Sequence, residues 1–579
     1  MREKNDLFAD IVLINGKIYT MKEDDDRIYT SIAIKGNKII GVGDLRKINK
    51  FIGNKTEIIN LKGKMVLPSF TDSHIHPPGI YLMKLYDVYL YDCQTLEDYE
   101  DVIRKYIRNN PNEEIIYGSG WSVGAFNGLE VKNGPRKERL DNISKDKAIV
   151  LWDISYHSVW LNTKAFEVFN ITNETSCHRQ KEGISCSNII KNEFDELWGC
   201  IKEEAMGLIP KKNYKKEEYI KAFECFQSEL HSYGITNIAS ISYPYSSSFM
   251  NIEWYRTLLE ENKLKLRVGY VEYLDTVDYK NNIEDTVSRR DNINYNSPYF
   301  KIIGTKILLD GVIEGNTAYL IRPYEEESVG KVNYFGELLW DQKHLREAIR
   351  ISNKNNLQVC IHCIGDGAAK VAIDTLEDLI KKDKNTRTLR NELIHLQLIK
   401  IEDIKRMNML DLISSIQPYW QVKAPGFWQE VDYKYIGERA EYEYPMKSLV
   451  DIGVLTTGSS DCPVTIHPNT MYAIQGGVTR NLVNAKSYGL QPITNINDER
   501  FLLNKYEKLS VMEMIKLFTT KGAYATFREE EIGTIEVDKY ADLVILSQNI
   551  LEINSLDIEY TKVIMTFFDG ELVYKDINK

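Results

Sequence analysis

The chain has 579 residues, of which 43% are hydrophobic and 27% are charged, as in ordinary globular proteins. Its formal net charge is −11 at pH 7, whereas nucleic-acid-binding proteins carry a strongly basic surface. We therefore expect no nucleic-acid partner. No stretch approaches about 18 uninterrupted apolar residues, so we expect no membrane-spanning helix. The first residues show no apolar run typical of a secretory signal, and eight cysteines imply no disulfide framework, which favours the reduced cytoplasm.

Both ends of the chain have the pattern of short strands joined by tight turns. Near the start, ADIVLINGKIYTM predicts two strands around a turn at Asn15-Gly16. Near the end, ADLVILSQN and VIMTFFDGELVY repeat this pattern, the second with an Asp-Gly turn. Since strands from both ends can pair with each other, we predict a small composite β-sandwich formed by residues 1–65 and 526–579.

The middle of the chain, residues 66–525, alternates short apolar strands with long amphipathic helices. Strand-like segments include AIVLW, FKIIGTKILLD and LQVCIHCIG, and helical stretches such as GAAKVAIDTLEDLIKK lie between them. This alternation predicts βα units and an α/β domain with a parallel sheet or barrel. We interpret the less regular regions 85–145 and 160–215 as insertions above the barrel, and the polar segment 275–298 as a surface excursion.

The segment VLPSFTDSHIHPPG carries His74 and His76, separated by one residue. In a strand, alternate side chains share a face, so both imidazoles can reach one point in space. Asp72 stands two residues before His74 and could orient a metal ligand. Two incidental exposed histidines are the alternative, but the chain has only nine histidines, so the pair predicts a metal site.

Three more residues suited to metal binding occur in or after later strands. His362 and His395 each end a strand, where a barrel places its active site, although single histidines are more often core or surface residues. Lys306 lies inside an apolar strand, and lysines are rarely buried unless paired or modified. It is either an ion-paired or snorkelling lysine, or a neutral amine that captures CO2 as a carbamate and bridges two cations.

Asp461, in TTGSSDCPV, ends another strand just before a turn. A carboxylate at this place could bind a metal and accept a proton from a metal-bound water. An aspartate that stabilises an Asx-turn is the commoner explanation of this local pattern taken alone.

Together these positions resemble the metal-dependent amidohydrolase superfamily, whose pattern is H-x-H at strand one, Lys at strand four, His at strands five and six, and Asp at strand eight. The segments GSGW, SYHSVWLNTKAF, IHCIGDGA, QPYW and IGTIEVDKYADLVIL are similar to one branch, typified by N-substituted formamide deformylase. The resemblance spans nearly the whole chain. It implies a (β/α)8 TIM barrel with insertions, residues 66–525, inserted in the composite β-sandwich of the two terminal segments.

The resemblance also implies roles for residues of this chain. It makes His74 and His76 ligands of a first metal, and His362 and His395 ligands of a second. Carboxylated Lys306 would bridge the two metals. Asp461 would bind the first metal and act as the proton shuttle.

Two further residues acquire substrate roles from the resemblance. His157 would hold the substrate carbonyl or leaving group, and Trp121 would contribute to the pocket wall, with ordinary packing as the alternative for both. The chain departs from the branch at Glu392, Leu393 and Ile394, where the branch often has arginine, isoleucine and glutamate. This departure leaves the following histidine in place, so the metal site is not put in doubt.

The implied reaction is hydrolysis of a C–N bond in a small amide, N-formyl compound or cyclic amide. One or two divalent ions, with zinc expected, would lower the pKa of a bound water to about 7. Deamination or ester hydrolysis by the same water is one alternative, and a count of about two metals per chain would favour the amide reaction. A second alternative is a binding protein that keeps the barrel but has no catalytic activity. The intact set of candidate metal ligands argues against this alternative. A homodimer is the default expectation for the assembly.

Overall fold

The computed structural model describes residues 8–93, 95–154, 158–175, 188–210, 212–242, 250–292 and 297–577. They divide into two compact units. Unit one comprises the described parts of 1–79, 224–244 and 249–579, and unit two comprises those of 80–223.

Unit one contains eight parallel strands in which each strand pairs with the next along the chain. In chain order they are β1 (Phe70–Ile75), β2 (Ile235–Ile241), β3 (Arg267–Tyr273), β4 (Phe300–Leu308), β5 (Gln358–Cys363), β6 (Glu392–His395), β7 (Ile413–Ile416) and β8 (Leu455–Gly458). This arrangement confirms the predicted barrel. All eight carboxyl ends lie on one face, where (β/α)8 barrels carry their active sites.

Side chains close the barrel between β1 and β8. The Ser73 hydroxyl lies 2.7 Å from the Thr457 hydroxyl and donates to the carbonyl of Gly458 at 3.1 Å. Just beyond the strand ends, the Asp461 N–H donates to the His74 carbonyl at 2.8 Å. These contacts join residues that are nearly 400 positions apart in the chain.

Helices follow most of the barrel strands, and side chains of neighbouring residues cap several of them. Asp341 caps the helix Gln342–Lys354 by accepting from the N–H groups of Lys343 and His344. The helices of the described chain are Leu45–Ile48, Tyr81–Tyr86, Leu96–Asn109, Leu129–Asn133, Lys137–Asp141, Thr163–Val168, Lys216–Ser232, Ile252–Glu260, Tyr279–Asp291, Glu326–Val329, Gln342–Lys354, Asp366–Lys382, Ile401–Met409, Lys434–Ile436, Met446–Ile452, Thr470–Thr479, Val511–Phe518 and Thr520–Ala525.

The two chain ends form mixed β-sheets, as predicted. A six-stranded sheet joins three strands of the C-terminal end to three of the N-terminal end, in the order Glu571–Lys575, Val563–Phe568, Leu543–Leu546, Met65–Pro68, Lys17–Tyr19 and Ile28–Tyr29. A four-stranded sheet has the order Lys38–Gly43, Ser31–Lys35, Ile11–Ile14 and Glu57–Asn60. Apolar side chains from both ends share one core, in which Leu13 and Ile32 pack with Ile545 and Phe567. The boundaries at 65 and 525 stay predictions, because barrel and terminal sheets belong to one compact unit.

Unit two has its own six-stranded sheet. Its strands, in spatial order, are Ile189–Lys191, Leu197–Lys202, Ser158–Leu161, Ala148–Asp153, Ile115–Trp121 and Val88–Tyr89. The segment AIVLW therefore forms a strand of this sheet and not a barrel strand. Its continuous apolar run is typical of any buried strand, so the run alone could not assign it to a sheet.

The segment 275–298 is more ordered than its composition indicates. Its described part contains the helix Tyr279–Asp291, and Tyr279, Ile283 and Thr286 are buried on one side of it. Spacings of four and three residues place these side chains on a single helical face, which the many intervening polar residues obscure.

A buried charge network joins the barrel to the terminal sheets within unit one. Arg267, the first residue of β3, pairs its Nε with Asp542 at 2.7 Å and its Nη2 with Asp569 at 2.8 Å. The side chains of Arg267 and Asp542 are both fully buried. Removing one member of such a network leaves an uncompensated charge in a low-dielectric interior.

We expect Arg267→Ala to lower the free energy of unfolding of unit one by about 3–5 kcal/mol, because Asp542 then stays buried without its partner. Urea denaturation followed by circular dichroism measures this loss. Arg387→Ala is the matched control, since Arg387 forms an exposed pair with Asp411 that contributes at most about 1 kcal/mol. Equal midpoints for the two variants would contradict the role given to Arg267.

His231 is a buried histidine far along the sequence from the predicted metal ligands. Its Nε2 donates to the Lys265 carbonyl at 2.7 Å, and its ring stacks on Phe568. Burial lowers the pKa of His231 from its ordinary value of 6.5 to about 4. Below pH 6.5 the unfolded chain therefore binds a proton at this residue that the folded chain does not bind.

Stability should accordingly fall as the pH drops from about 6.5 to about 4, and His231 should contribute about 3 kcal/mol to that fall. Urea midpoints measured across this range should decline less steeply for His231→Gln than for the wild-type chain. A variant at an exposed residue without an ionisable side chain, such as Val277→Ala, should keep the wild-type slope. If His231→Gln also keeps it, His231 is not neutral in the folded state.

Candidate metal centre

His74 and His76 lie at the end of β1 and both point at one carboxylate oxygen. Their Nε2 atoms are 3.2 Å and 3.1 Å from Oδ1 of Asp461, which follows β8. The period of two in a strand places both rings on one side, and the closed barrel brings Asp461 beside them. Within the described residues, this trio is the group of histidine, cysteine and acidic side chains whose ligand atoms converge closely enough to hold a metal ion.

The hydrogen bonds of the trio indicate that a positive charge belongs between its members. Nδ1 of His76 lies 3.1 Å from the carbonyl of Ile241 and must carry the proton, because a carbonyl only accepts. In neutral His76, Nε2 then presents a lone pair to the Asp461 carboxylate. Burial lowers the pKa of His74 to about 3, so His74 is neutral at physiological pH.

Two acceptors that face each other at 3.1 Å repel unless a cation lies between them. The structure also leaves Nδ1 of His74 and Oδ2 of Asp72 buried without a hydrogen-bond partner. Two imidazoles and a carboxylate form a donor set that Zn²⁺ and similar ions bind. The residues present therefore fit a divalent metal ion.

His362 and His395 lie beside this trio on β5 and β6. Their ring centroids are 4.6 Å apart, and the His395 ring is 5.5 Å from that of His74. Nδ1 of His395 donates to Oε1 of Gln417 at 3.0 Å, and Nε2 of His362 donates to the carbonyl of Gly311 at 3.1 Å. Each ring thus keeps one lone-pair nitrogen. The structure brings all four predicted histidine ligands together, and their ligand roles stay predictions.

Lys306 lies in β4 with only 3% of its surface exposed. Burial lowers the pKa of its ammonium group from 10.5 to about 8, against the opposing effect of the Asp461 carboxylate. Among the described residues, Lys306 has no hydrogen-bond or ion-pair partner. A lowered pKa increases the fraction of neutral amine, which is the form that reacts with CO2.

Asp461 and His395 both adopt left-handed backbone conformations, with φ of +55° and +73°. Such conformations cost energy for residues other than glycine and are typical of functional sites. Burial alone would raise the pKa of Asp461, but the adjacent His74 and His76 hold it well below its usual range. The carboxylate is therefore ionised at neutral pH and available as a ligand or a base.

Three supporting residues hold this arrangement. Oδ1 of Asp72 accepts from the N–H groups of His74 and Ser460, so it positions the backbone and not an imidazole ring. Asp310 accepts backbone N–H groups from the loop after β5 and lies 3.6 Å from His362. Gln417 orients His395. We did not predict Asp310 or Gln417 as site residues, although an aspartate or glutamine directly after an apolar strand was a signal that could have found them.

The structure describes one of the two predicted substrate residues. Trp121 is a buried core residue of unit two, where its Nε1 donates to the Leu151 carbonyl at 2.7 Å and its ring packs against Phe126 and Trp160. His157 lies outside the described residues. The substrate roles of Trp121 and His157 stay predictions.

Comparison with known proteins places this site in a family. The sequence profile described as the amidohydrolase family matches residues 57–574. The chain belongs to the amidohydrolase family. This match covers the barrel, all six predicted metal-site residues and most of the C-terminal segment, but only residues 57–65 of the N-terminal segment. We therefore describe the protein as a hydrolase of the amidohydrolase superfamily with a candidate metal site at His74, His76 and Asp461.

Similar proteins match this amidohydrolase along nearly its whole length. The protein YtcJ of Bacillus subtilis (strain 168) is 25% identical over 97% of this chain and 98% of its own. N-substituted formamide deformylase of Arthrobacter pascens is 21% identical over 98% of each chain. The crystal structure of an uncharacterized metal-dependent hydrolase from Pyrococcus horikoshii OT3 covers 94% of this chain and 99% of its own, with a TM-score of 0.71 and 23% identity.

The described chain contains helices of many lengths, from short turns to 17 residues. None of those helices combines the length and the apolar character that crossing a bilayer requires.

We expect the purified protein to contain a divalent metal, and His76→Asn to lose about one ion per chain, because one converging nitrogen ligand is removed. Elemental analysis by mass spectrometry gives the content directly. His467→Asn is the matched control, since His467 is an exposed histidine paired with Glu229. Unchanged metal content in His76→Asn would remove His76 from the site.

Proposed function

We propose that this protein hydrolyses a C–N bond of a small amide, N-formyl compound or cyclic amide, using water and one or two divalent ions. The observation that carries the proposal is the convergence of the His74 and His76 imidazoles on the carboxylate of Asp461, at the carboxyl face of the barrel. The name of the deformylase relative describes removal of a formyl group, and the similarity to it supports this reaction class.

The proposed ligands follow the geometry of the site. His74, His76 and Asp461 would hold a first ion, and His362 and His395 a second. Lys306, as a carbamate, would bridge them. Zinc is the metal that imidazole and carboxylate ligands favour in hydrolases, and an ion held here would polarise the substrate carbonyl and make water a nucleophile near neutral pH.

The carboxylate of Asp461 would move the proton in both halves of the reaction. Since neighbouring groups keep Asp461 ionised, it can accept a proton from the attacking water as the new C–O bond forms. The tetrahedral intermediate then loses its C–N bond, and Asp461 returns the proton to the leaving nitrogen. Gln417 accepts the hydrogen bond from Nδ1 of His395, so the neutral His395 ring keeps its lone pair on Nε2.

His157 would hold the substrate carbonyl or leaving group, and Trp121 would line the pocket. The partner would be a small-molecule substrate, without nucleic acid or membrane, and the assembly would be a homodimer. The protein would be located in the cytoplasm, because a reducing compartment suits the six described cysteines, which are free thiols.

We expect Asp461→Asn to reduce kcat for amide hydrolysis by at least about 100-fold, because an amide cannot accept the proton of the attacking water. Turnover of N-formyl and cyclic amide substrates is to be measured together with metal content. A loss of turnover with retained metal identifies proton transfer as the missing function.

The matched control for this variant is Asp403→Asn. Asp403 is a buried aspartate that pairs with Arg406 in the helix Ile401–Met409. This variant should keep wild-type turnover. Turnover at the wild-type rate in Asp461→Asn would exclude Asp461 as the proton shuttle. Release of ammonia in place of an amine or amino acid would instead identify a deaminase.

A further inference from the structure

Trp420 lies in the turn that follows β7 and contacts both a candidate metal ligand and a neighbouring loop. Its ring stacks on the His395 imidazole, with centroids 5.8 Å apart and planes inclined by 15°. Its Nε1 donates to the Thr465 hydroxyl at 2.9 Å. Thr465 stands four residues after Asp461 in the loop that follows β8. One side chain therefore connects His395 of β6 to the loop that carries Asp461.

Gln417, in the same turn, makes a parallel connection. Its Oε1 accepts from Nδ1 of His395 at 3.0 Å, and its Nε2 donates to the Ser459 hydroxyl at 2.9 Å. Ser459 stands two residues before Asp461. The loop after β8 is thus bonded on both sides of Asp461 to side chains that hold the His395 ring.

These two contacts restrict different movements of the His395 ring. The hydrogen bond from Nδ1 to Gln417 sets the direction of one ring edge, whereas the contact with the Trp420 ring restricts the tilt of the imidazole plane. A histidine that binds a metal needs both restrictions, since its lone pair must point at the ion. Gln417 alone would leave the plane free to tilt about the hydrogen bond.

Trp420 is itself held in place by its surroundings. Its ring packs against the apolar cluster that includes Leu398. The next residue, Gln421, accepts from Nη1 of the buried Arg480 at 2.7 Å, which fixes the chain beside the tryptophan. The Trp420 ring therefore forms a fixed wall against which the His395 ring rests.

We propose that Trp420, anchored by Thr465, is a positioning residue for His395, and that it makes the orientation of this imidazole depend on the loop that carries Asp461. The inference rests on the proposed function, in which His395 is a ligand of the second ion. Contacts of this kind orient metal-ligating histidines, and their loss typically weakens metal binding by about 10–100-fold. Ordinary core packing of Trp420 is the alternative, and it predicts no specific effect on His395.

The first test titrates the metal-free protein with zinc in competition with a chromophoric chelator. His395→Asn identifies the ion whose binding depends on His395. Trp420→Leu removes the stacked ring and should raise the Kd of that ion by about 10–100-fold. Thr465→Val removes the anchoring hydroxyl with little change in side-chain shape, so it should raise the same Kd by a smaller factor.

A double-mutant cycle isolates the bond between the indole and the hydroxyl. Trp420→Phe keeps an aromatic ring without the N–H, and Thr465→Val has no acceptor, so each single variant removes the same bond. If that bond anchors Trp420, the zinc Kd of the double variant should match those of the single variants, since the bond can be lost only once. Effects that simply multiply would overturn the anchoring role of Thr465.

The second test does not depend on metal binding. Diethyl pyrocarbonate modifies accessible imidazoles, and peptide mass spectrometry measures the rate at each histidine of the metal-free protein. His395 is 3% exposed and should react slowly in the wild-type chain. Trp420→Leu should accelerate its modification several-fold. Thr465→Val should accelerate it to a lesser extent, which keeps the test decisive if Trp420→Leu does not fold. His231, buried in the same unit, should keep its slow rate in both variants.

Trp198→Phe is the matched control, because Nε1 of Trp198 also donates a hydrogen bond, to the Gly134 carbonyl of unit two at 2.7 Å. This variant should keep wild-type zinc binding and the wild-type modification rate of His395. If His395→Asn leaves zinc binding unchanged, the proposed ligand set fails, and the modification rates alone decide the inference. An unchanged His395 rate in both Trp420→Leu and Thr465→Val, or an equal acceleration at His231, would overturn it.

Discussion

Closure of the barrel between β1 and β8 is the constraint on which the site depends. The Ser73 hydroxyl, the Asp72 carboxylate and the His74 carbonyl each bond to residues 457–461 across this seam. These bonds bring the histidines of the first strand within 3.2 Å of a carboxylate from the last. A strand pair that slipped by one residue would turn the imidazoles to the other face and disperse the site.

The low dielectric of the barrel interior determines the charge state of the residues held there. Burial keeps His74 and His362 neutral and lowers the pKa of Lys306 to about 8. Neutral imidazoles are metal ligands, and a neutral amine is a nucleophile, so desolvation prepares both. Asp461 stays ionised because the surrounding histidines outweigh its own desolvation. The same residues on a protein surface would titrate near their ordinary values and lack this chemistry.

The candidate ligands lie on strands or directly after them, where backbone hydrogen bonds restrict their movement. The loops after β7 and β8 begin beyond the strand ends, where residues can change without disturbing the barrel. Trp420, in the loop after β7, stacks on His395, so this loop contacts the candidate site. Changes in the loops can therefore alter the surroundings of the site while its ligands stay in place.

The strand and helix patterns of the sequence predicted a parallel sheet or barrel, the composite terminal sheets and the candidate histidines, because these patterns are local properties. The choice of a barrel was implied by the resemblance to the amidohydrolase superfamily. The sequence did not assign AIVLW to unit two, since an apolar run does not identify the sheet to which it belongs. The many polar residues of segment 275–298 obscured the helix Tyr279–Asp291. The contacts of Asp310 and Gln417, and the distances that join His74 and His76 to Asp461, were decided only by the tertiary structure. Each of these depends on contacts between residues distant in the chain, and those contacts exist only once the barrel closes.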